Sequence, residues 1–219
     1  MAEGFLGKLS REEADALQAV GMPRSYGSHV EIFHEGDDAG AVVVLLRGRV
    51  KIARIGAGGR EAIVALCGPG DLLGELAAID GGRRSSNVTT LEPVELLLIP
   101  RSDFVRLIER HPRMAVEILR IVASRLRSAD AQQAQLATQD IVGCLAQRLV
   151  ELGNRFGRPR ERGIEIDLPM SQEELGSWIG ASREGVSRAL QVLRRLRIIE
   201  TGRRRITVLD VEALERHAR

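Results

Sequence analysis

The chain is poor in the residues that build disulfide frameworks, metal clusters and catalytic centres. It contains only two cysteines, Cys67 and Cys144, which lie far apart and exclude a cysteine-rich iron–sulfur or zinc framework. Its four histidines show no metal-ligand spacing, and no Ser/His/Asp triad or paired general acid and base is apparent. We therefore expect a protein that is not an enzyme and that has no metal site and no catalytic cofactor.

Long hydrophobic runs and aromatic residues are also scarce. No run of 18 apolar residues is present, and the longest dense run, residues 41–46, has the length of a strand. Aromatic residues make up 3% of the chain, so its cores should be aliphatic. The N-terminus lacks a secretory signal pattern, and we expect a cytoplasmic protein without a membrane partner.

Charge is distributed unevenly along the 219 residues. The net charge is +2, but residues 141–219 hold 15 arginines and 11 acidic residues, whereas the first 140 residues are net acidic. This asymmetry favours an anionic partner for the C-terminal part.

One long helix is predicted from Pro112 to Gln139, a stretch with no internal proline or glycine. Proline suits a first helical turn, and the helix would be about 40 Å long. Apolar and small residues recur at alternating spacings of three and four, which is the pattern of a coiled-coil seam. The seam predicts a homodimer, although a long core helix of one domain is the alternative. Its members are Leu119, Val122, Leu126, Ala129, Gln133 and Leu136.

Short β-rich runs separated by glycine-containing turns precede this helix. They fall at 30–33, 41–46, 49–55, 61–66 and 94–99 and predict a β-sandwich or β-roll. Helix starts are indicated by Ser10 with Glu13 in a capping box, by Ser102 and by Asp140. Residues 163–168 alternate as an edge strand does.

A candidate anion cradle lies between the β-rich runs. Gly74 lets a backbone N–H approach a ligand closely, and Arg84 offers a planar fork suited to a phosphate. Glu75 can accept hydrogen bonds from sugar hydroxyls. Taken alone, the pattern also fits an ordinary Glu–Arg surface pair. The predicted ligand set near this point is Leu73, Gly74, Glu75, Leu76, Arg84, Ser85 and Ser86.

The C-terminal part contains two short helices joined by a tight turn at Gly180. A capping box with Ser171 opens the first helix, and Ser182 is a natural N-cap for the second. The second helix has an apolar inner stripe and an arginine-rich outer face, as in a DNA-binding helix-turn-helix, although a plain αα-hairpin is the alternative. The predicted base-reading residues are Arg183, Glu184 and Arg188, and Ser171, Ser182 and Ser187 complete this part of the predicted DNA-binding set.

A β-hairpin with a basic tip is predicted directly after the second helix. Arg203, Arg204 and Arg205 lie at its tip, where they would hold DNA phosphates as the wing of a winged helix.

Together, the Gly-Glu…Arg-Ser pattern, the long helix and the helix-turn-helix resemble the cyclic-AMP receptor protein and fumarate-nitrate regulator family of bacterial regulators. The resemblance covers nearly all of residues 20–210. It implies an α+β protein with an N-terminal cyclic-nucleotide-binding β-roll, a long dimerisation helix and a C-terminal winged helix-turn-helix. The predicted domains are 1–111, 112–140 and 141–219. Double-stranded DNA with a near-palindromic site and RNA polymerase are the partners that it implies.

The resemblance also assigns the predicted nucleotide contacts. It implies that Glu75 contacts the ribose 2′-hydroxyl and that Arg84 and Ser85 contact the cyclic phosphate. Cyclic-AMP-responsive members carry Thr and then Ser or Asn where this chain has Ala129 and Asp130. A carboxylate can accept from adenine or from guanine, so cyclic AMP is expected first, with cyclic GMP or no ligand as alternatives.

Overall fold

The computed structural model describes residues 4–56, 58–138 and 140–218, and for residues 131–138 it describes the backbone only. The described chain forms two compact units that divide between residues 128 and 129, within the long helix. The three domains predicted from the sequence, with boundaries after residues 111 and 140, stay a prediction.

The N-terminal unit is built from two four-stranded antiparallel sheets and flanking helices. One sheet has the strand order β1-β8-β3-β6 and the other β2-β7-β4-β5, which is the predicted β-roll. The elements in chain order are α1 (Phe5–Lys8), α2 (Arg11–Val20), β1 (Met22–Tyr26), β2 (Glu31–Phe33), β3 (Ala41–Arg47), β4 (Val50–Ile55), β5 (Glu61–Cys67), β6 (Leu72–Leu73), α3 (Glu75–Asp80), β7 (Asn87–Thr90), β8 (Val94–Pro100), α4 (Arg101–Arg110) and α5 (Pro112–Thr138).

Strand β3 is apolar along most of its length because both of its faces are buried. Successive side chains of a strand point to opposite faces. Val42 and Val44 belong to a cluster that includes Phe104 of α4, whereas Val43 and Leu45 belong to a second cluster with residues of both sheets. Because its side chains enter both clusters, β3 joins the two halves of the core. Full burial of side chains of this size contributes about 1.5–3 kcal/mol each.

The long helix α5 packs one stripe against its own unit. Met114 and Ile118 are buried in the cluster that also holds Phe104, and Val122 packs against the same cluster. These positions are four residues apart, as expected for one helical face. Val122 is thus partly covered by its own β-roll, and its place in the coiled-coil seam stays a prediction.

A different stripe of α5 is exposed in this chain. Leu119 and Leu126 are exposed there, as is Val116, which the seam prediction omitted. Ala129 is also exposed. Of the remaining predicted positions, the side chains of Gln133 and Leu136 and the whole of Gln139 lie outside the described residues.

The C-terminal unit packs helices against a small antiparallel sheet of strand order β11-β12-β10-β9. The prediction of an edge strand at 163–168 is wrong, because β10 lies inside this sheet and the arginine-rich connector supplies β9 as its edge. The elements are α6 (Ile141–Phe156), β9 (Arg158–Arg160), β10 (Gly163–Asp167), α7 (Gln172–Ile179), α8 (Arg183–Arg195), β11 (Ile199–Gly202), β12 (Arg205–Val208) and α9 (Val211–His217).

Helix starts follow local side-chain chemistry at most of the predicted positions. Ser10 and Glu13 form the predicted capping box at α2. Asp140 caps α6 by accepting a hydrogen bond from the N–H of Gly143 at 2.8 Å. Ser102 is not an N-cap, because α4 already begins at Arg101.

Candidate functional site

The predicted anion cradle is formed where β6 ends and α3 begins. Gly74 connects them with a left-handed backbone, φ +80°, which residues with a Cβ rarely adopt. A Cβ at this position would collide with the guanidinium of Arg84 and would lie 2.9 Å from Cε2 of Phe33. Gly74 is therefore required both by its backbone conformation and by the close approach of Arg84.

Arg84 is a buried cation held by backbone oxygens and by an aromatic ring. Its side chain donates to the carbonyl oxygens of Gly74, at 3.1 Å, and of Ala41. Its guanidinium lies 3.7 Å from the centroid of the Phe33 ring, a cation–π contact. The residue is 6% exposed.

No carboxylate of the described residues forms an ion pair with Arg84. Burial lowers the pKa of its guanidinium, although the charges of Asp37 and Glu75 act in the opposite direction. A buried charge without a counter-ion is unfavourable, and an anion that replaced water beside it would be bound strongly. The site is chemically suited to a phosphate group.

Glu75, the first residue of α3, is held by the long helix. One oxygen of its carboxylate, Oε1, accepts a hydrogen bond from Nη1 of Arg125 at 2.5 Å, and Nη2 of Arg125 donates to the carbonyl of Leu72 at 2.8 Å. Burial opposes the charge on Arg125, but the nearby Glu75 carboxylate raises the pKa of Arg125 on balance. Within the described residues, Oε2 of Glu75 has no hydrogen-bond partner.

The other predicted ligand residues are distributed unevenly around this pair. Leu73 is buried in the core between the sheets, whereas Leu76 and Ser85 are exposed and Ser86 is half-buried. Ala129 and Asp130 are exposed on α5, beyond the boundary between the two units. The structure thus brings together Gly74, Glu75 and Arg84.

Three residues of this site were missed by the sequence analysis. Phe33 stacks on Arg84, Arg125 holds Glu75, and Arg101 donates from Nε to the carbonyl of Ala78 near the C-terminal end of α3 at 2.8 Å. Only Arg125 had a usable signal, because it lies seven residues after the buried Ile118 and so falls on the inward face of α5.

The second candidate site is the pair α7 and α8, joined at Gly180 with φ +70°. Four residues of α8 at helical spacing are buried, namely Val186, Ala189, Leu190 and Leu193. A Cβ on Gly176 of α7 would lie 2.5 Å from the carbonyl oxygen of Ala181, so the turn passes directly over α7. The predicted helix-turn-helix is confirmed.

The outer face of α8 carries the predicted base-reading residues. Arg183, Glu184 and Arg188 are exposed, and Ser187 is half-buried. Ser171 and Ser182 act as N-caps: their hydroxyls accept hydrogen bonds from the N–H groups of Glu174 and Gly185, each at 3.1 Å. Contact of these residues with DNA stays a prediction.

Gly185 allows α8 to approach the first turn of α6. A Cβ there would lie 3.1 Å from Cδ1 of Ile141 and 3.5 Å from Oγ of Ser182. Gly185 is buried, and its helical conformation needs no glycine. The close contact with Ile141 favours glycine at position 185, although a glycine inside a helix costs about 1 kcal/mol of helix stability.

The hairpin after α8 has Arg203 and Arg204 as its two-residue turn, since Gly202 pairs with Arg205. Arg204 has φ +52°, which is uncommon for a residue other than glycine. Arg203 and Arg204 are exposed and, within the described residues, make no side-chain hydrogen bond or ion pair. Nη1 of Arg205, by contrast, lies 3.3 Å from Oε2 of Glu165.

Comparisons with known proteins agree with this architecture. Residues 23–111 match the family of the cyclic nucleotide-binding domain, and residues 145–217 match that of the Crp-like helix-turn-helix domain. The chain is 32% identical over 203 residues to the CRP-like cAMP-activated global transcriptional regulator of Mycobacterium tuberculosis (strain CDC 1551 / Oshkosh), which covers 93% of this chain and 89% of that protein. The chain belongs to the Crp/Fnr family.

Other Crp/Fnr proteins match over similar lengths. The global nitrogen regulator of Synechocystis sp. (strain ATCC 27184 / PCC 6803 / Kazusa) is 34% identical, over 84% of this chain and 82% of that protein. The structure of FixK2 from Bradyrhizobium japonicum has a TM-score of 0.81 and 25% identity, and the match covers 91% of this chain and 98% of that one.

Membership of the Crp/Fnr family makes this chain a DNA-binding transcription regulator and not an enzyme. Arg125 lies between the two matched regions. Among the described residues, no group of three or more His, Cys, Asp or Glu side chains could hold a metal ion. Within the same residues, no helix is long and apolar enough to cross a membrane.

Proposed function

We propose that this protein is a homodimeric transcription regulator whose DNA binding is controlled by a cyclic nucleotide, with cyclic AMP as the first candidate. The observation that carries the proposal is Arg84, a buried guanidinium without an ion-pair partner among the described residues. Only two of its N–H groups are used by backbone oxygens, so others remain for a cyclic phosphate. The missing Cβ of Gly74 lets the Arg84 guanidinium lie directly against the backbone where β6 ends, which is where an anion would be bound.

The sugar of the nucleotide would be held by Glu75. Its Oε1 is already bonded to Arg125, which leaves Oε2 to accept from a ribose 2′-hydroxyl. A hydrogen bond to the carboxylate that α5 also holds would couple ligand binding to the position of α5. Ser85 and Ser86 would add donors to the phosphate, with Leu73 and Leu76 flanking the cradle.

The identity of the base is the less constrained half of the proposal. Asp130, with Ala129 before it, would accept from the adenine amino group or from N1–H and N2–H of guanine. Cyclic AMP is preferred because the mycobacterial relative is named for it. A regulator that responds to cyclic GMP, or to no ligand, is the alternative, and the cyanobacterial relative carries a name without a nucleotide.

The homodimer is supported by the exposed apolar stripe of α5. Val116, Leu119 and Leu126 lie on it, and large exposed apolar side chains at heptad-like spacing are typical of a helix that pairs with a second copy. Two recognition helices related by a two-fold axis would read a near-palindrome with half-sites about 10–10.5 base pairs apart. RNA polymerase is the further partner proposed for such a regulator.

In the DNA complex, α8 would enter the major groove. Arg183 and Arg188 would donate to guanine O6 and N7, and Glu184 would accept from cytosine N4. The wing arginines would bind phosphates, which position the protein without reading sequence.

Calorimetry with cyclic AMP and cyclic GMP on wild type and two variants tests the proposal. Arg84→Gln should lower nucleotide affinity more than tenfold, because a charge-assisted contact is lost. Arg83→Gln is the matched control. Arg83 precedes Arg84 in the chain, but its side chain is exposed and, within the described residues, its one hydrogen bond goes to the carbonyl of Gly36. Equal affinities in both folded variants, or no binding of either nucleotide below about 1 mM, would refute the nucleotide site.

A further inference from the structure

Glu165 lies at the centre of an ionic cluster on the solvent face of the C-terminal sheet. It is in the interior strand β10, opposite Thr207 of β12 and Arg158 of β9. Nε and Nη2 of Arg160 lie 3.2 and 2.8 Å from its Oε1, and Nη1 of Arg205 lies 3.3 Å from its Oε2. One carboxylate therefore holds two arginines from the strands on either side of its own.

The two arginines cover this carboxylate and face solvent themselves. The side chain of Glu165 is 15% exposed, whereas those of Arg160 and Arg205 are 55% and 54% exposed. The hydrogen bond from Arg160 lowers the pKa of the Glu165 carboxyl, so the group is ionised at neutral pH. Glu165 thus supplies a fixed negative charge beneath two guanidinium groups.

The wing arginines are consequently unequal. Arg203 and Arg204 occupy the turn, and no acidic side chain of the described residues pairs with either. Arg205 begins β12 and is already paired. A guanidinium that is neutralised by a carboxylate gains less from a phosphate, because binding must either break the pair or bring phosphate close to the carboxylate.

We infer that Glu165 restrains DNA binding by this sheet: it withholds Arg205 and Arg160 from the phosphate backbone and so limits sequence-independent affinity for duplex DNA. This inference rests on DNA binding by the C-terminal unit. Sequence-independent binding comes almost entirely from phosphates neutralised by Lys and Arg, so the number of available arginines sets it. Weaker binding of this kind leaves more regulator free to find its own site among competing DNA.

Glu165→Gln removes the negative charge while keeping the shape of the side chain. On a mixed-sequence duplex of about 30 base pairs, we expect the slope of log affinity against log salt to steepen by about 0.9 for each arginine released onto a phosphate, and affinity near 0.1 M salt to rise about fivefold to tenfold for each such contact. Fluorescence anisotropy across a salt series measures both. Glu161→Gln is the control, because Glu161 is exposed in the same β9–β10 hairpin and makes no ion pair among the described residues.

Equal effects of Glu165→Gln and Glu161→Gln would overturn the inference, since net charge alone would then account for both. A second measurement does not depend on the folding of Glu165→Gln. Arg205→Gln should lower the salt slope clearly less than Arg204→Gln does, because only Arg205 is restrained, and equal losses would contradict the inference.

The double variant Glu165→Gln/Arg205→Gln should lose the part of the gain that comes from Arg205 and keep only the part that comes from Arg160. A full gain in the double variant would exclude Arg205 as a restrained group and so overturn the inference as stated. If the wild-type protein shows no salt-dependent affinity for duplex DNA, DNA binding itself is refuted. If the wild type binds DNA and the variants bind it with the same affinity and salt slope, only the restraint by Glu165 is refuted.

Discussion

Arg84 and the wing arginines place the same guanidinium group in opposite settings. Arg84 is buried, stacked on Phe33 and bonded to backbone carbonyls, whereas Arg203 and Arg204 are exposed at a hairpin turn. A buried cation gains specificity from a shaped, desolvated surrounding, and an exposed one acts through a field that salt screens. Under the proposed function, the same charged group would bind a small ligand in the first unit and a polymer in the second.

The largest expected difference between the two regions is their response to salt. Between about 50 and 200 mM salt, DNA affinity should fall by a factor of about 10³–10⁵ if the dimer makes 6–10 phosphate contacts. Nucleotide affinity should fall less than about threefold, because the contact with Arg84 is screened weakly. Anisotropy and calorimetry on the wild type give the two curves, and parallel curves would contradict a buried nucleotide site.

The close approach of Arg84 to Gly74 can be broken by one methyl group. Gly74→Ala should lower the free energy of unfolding by about 2–4 kcal/mol and nucleotide affinity more than tenfold, because its Cβ meets Arg84 and Phe33. Gly58→Ala is the control, since φ is +83° there but nothing lies within 4 Å, and it should cost about 1 kcal/mol. Denaturant unfolding measures both, and similar losses would mean that backbone strain alone makes Gly74 necessary.

The pair between Glu75 and Arg125 should be worth less than the buried Gly74 contact, because Arg125 is partly exposed. Arg125→Gln should destabilise the protein by about 2 kcal/mol, since it leaves a buried carboxylate without its charged partner. Arg127→Gln should change stability by less than about 0.5 kcal/mol, because Arg127 is exposed. Thermal and denaturant unfolding decide this prediction, which fails if the two variants are equally stable.

The smallest expected effect concerns the wing turn. Arg204→Gly should raise the free energy of unfolding by about 1 kcal/mol, because glycine relieves the left-handed backbone at φ +52°. It should also lower the salt slope of DNA binding by about 0.9 for each wing that contacts the duplex. Arg203→Gly removes the same charge from a residue outside the left-handed region, so it should lower stability while lowering the slope equally. Stabilisation by both glycines would contradict the strain at Arg204.

The parts that the sequence predicted are those set by neighbours along the chain. Ser10, Asp140 and Ser171 cap helices through side chains three residues from their partners, and the inner stripe of α8 follows from helical spacing. Strand β1 was missed because its residues are mostly exposed and show no apolar alternation. It exists because it pairs with β8, about 70 residues further along the chain.

The candidate site divides in the same way. Gly74, Glu75 and Arg84 stand close together in sequence, and the pattern became a predicted phosphate cradle only with the family resemblance of the surrounding chain. Phe33 and Arg125 reach it from distant segments, so only the folded chain brings them together. The restraint of Arg205 by Glu165 likewise depends on strand register, which places two residues 40 positions apart in contact.

The clearance at Gly185 has a mechanical consequence. Ile141 is the first residue of α6, directly after the Asp140 cap, and its terminal methyl group bears on the first turn of α8. Packed atoms resist compression. A displacement of the start of α6 by about an ångström would therefore also displace the end of α8 that carries Arg183. A side chain larger than glycine at position 185 would change this contact, and with it the way in which a displacement at the start of α6 reaches the DNA-reading surface of α8.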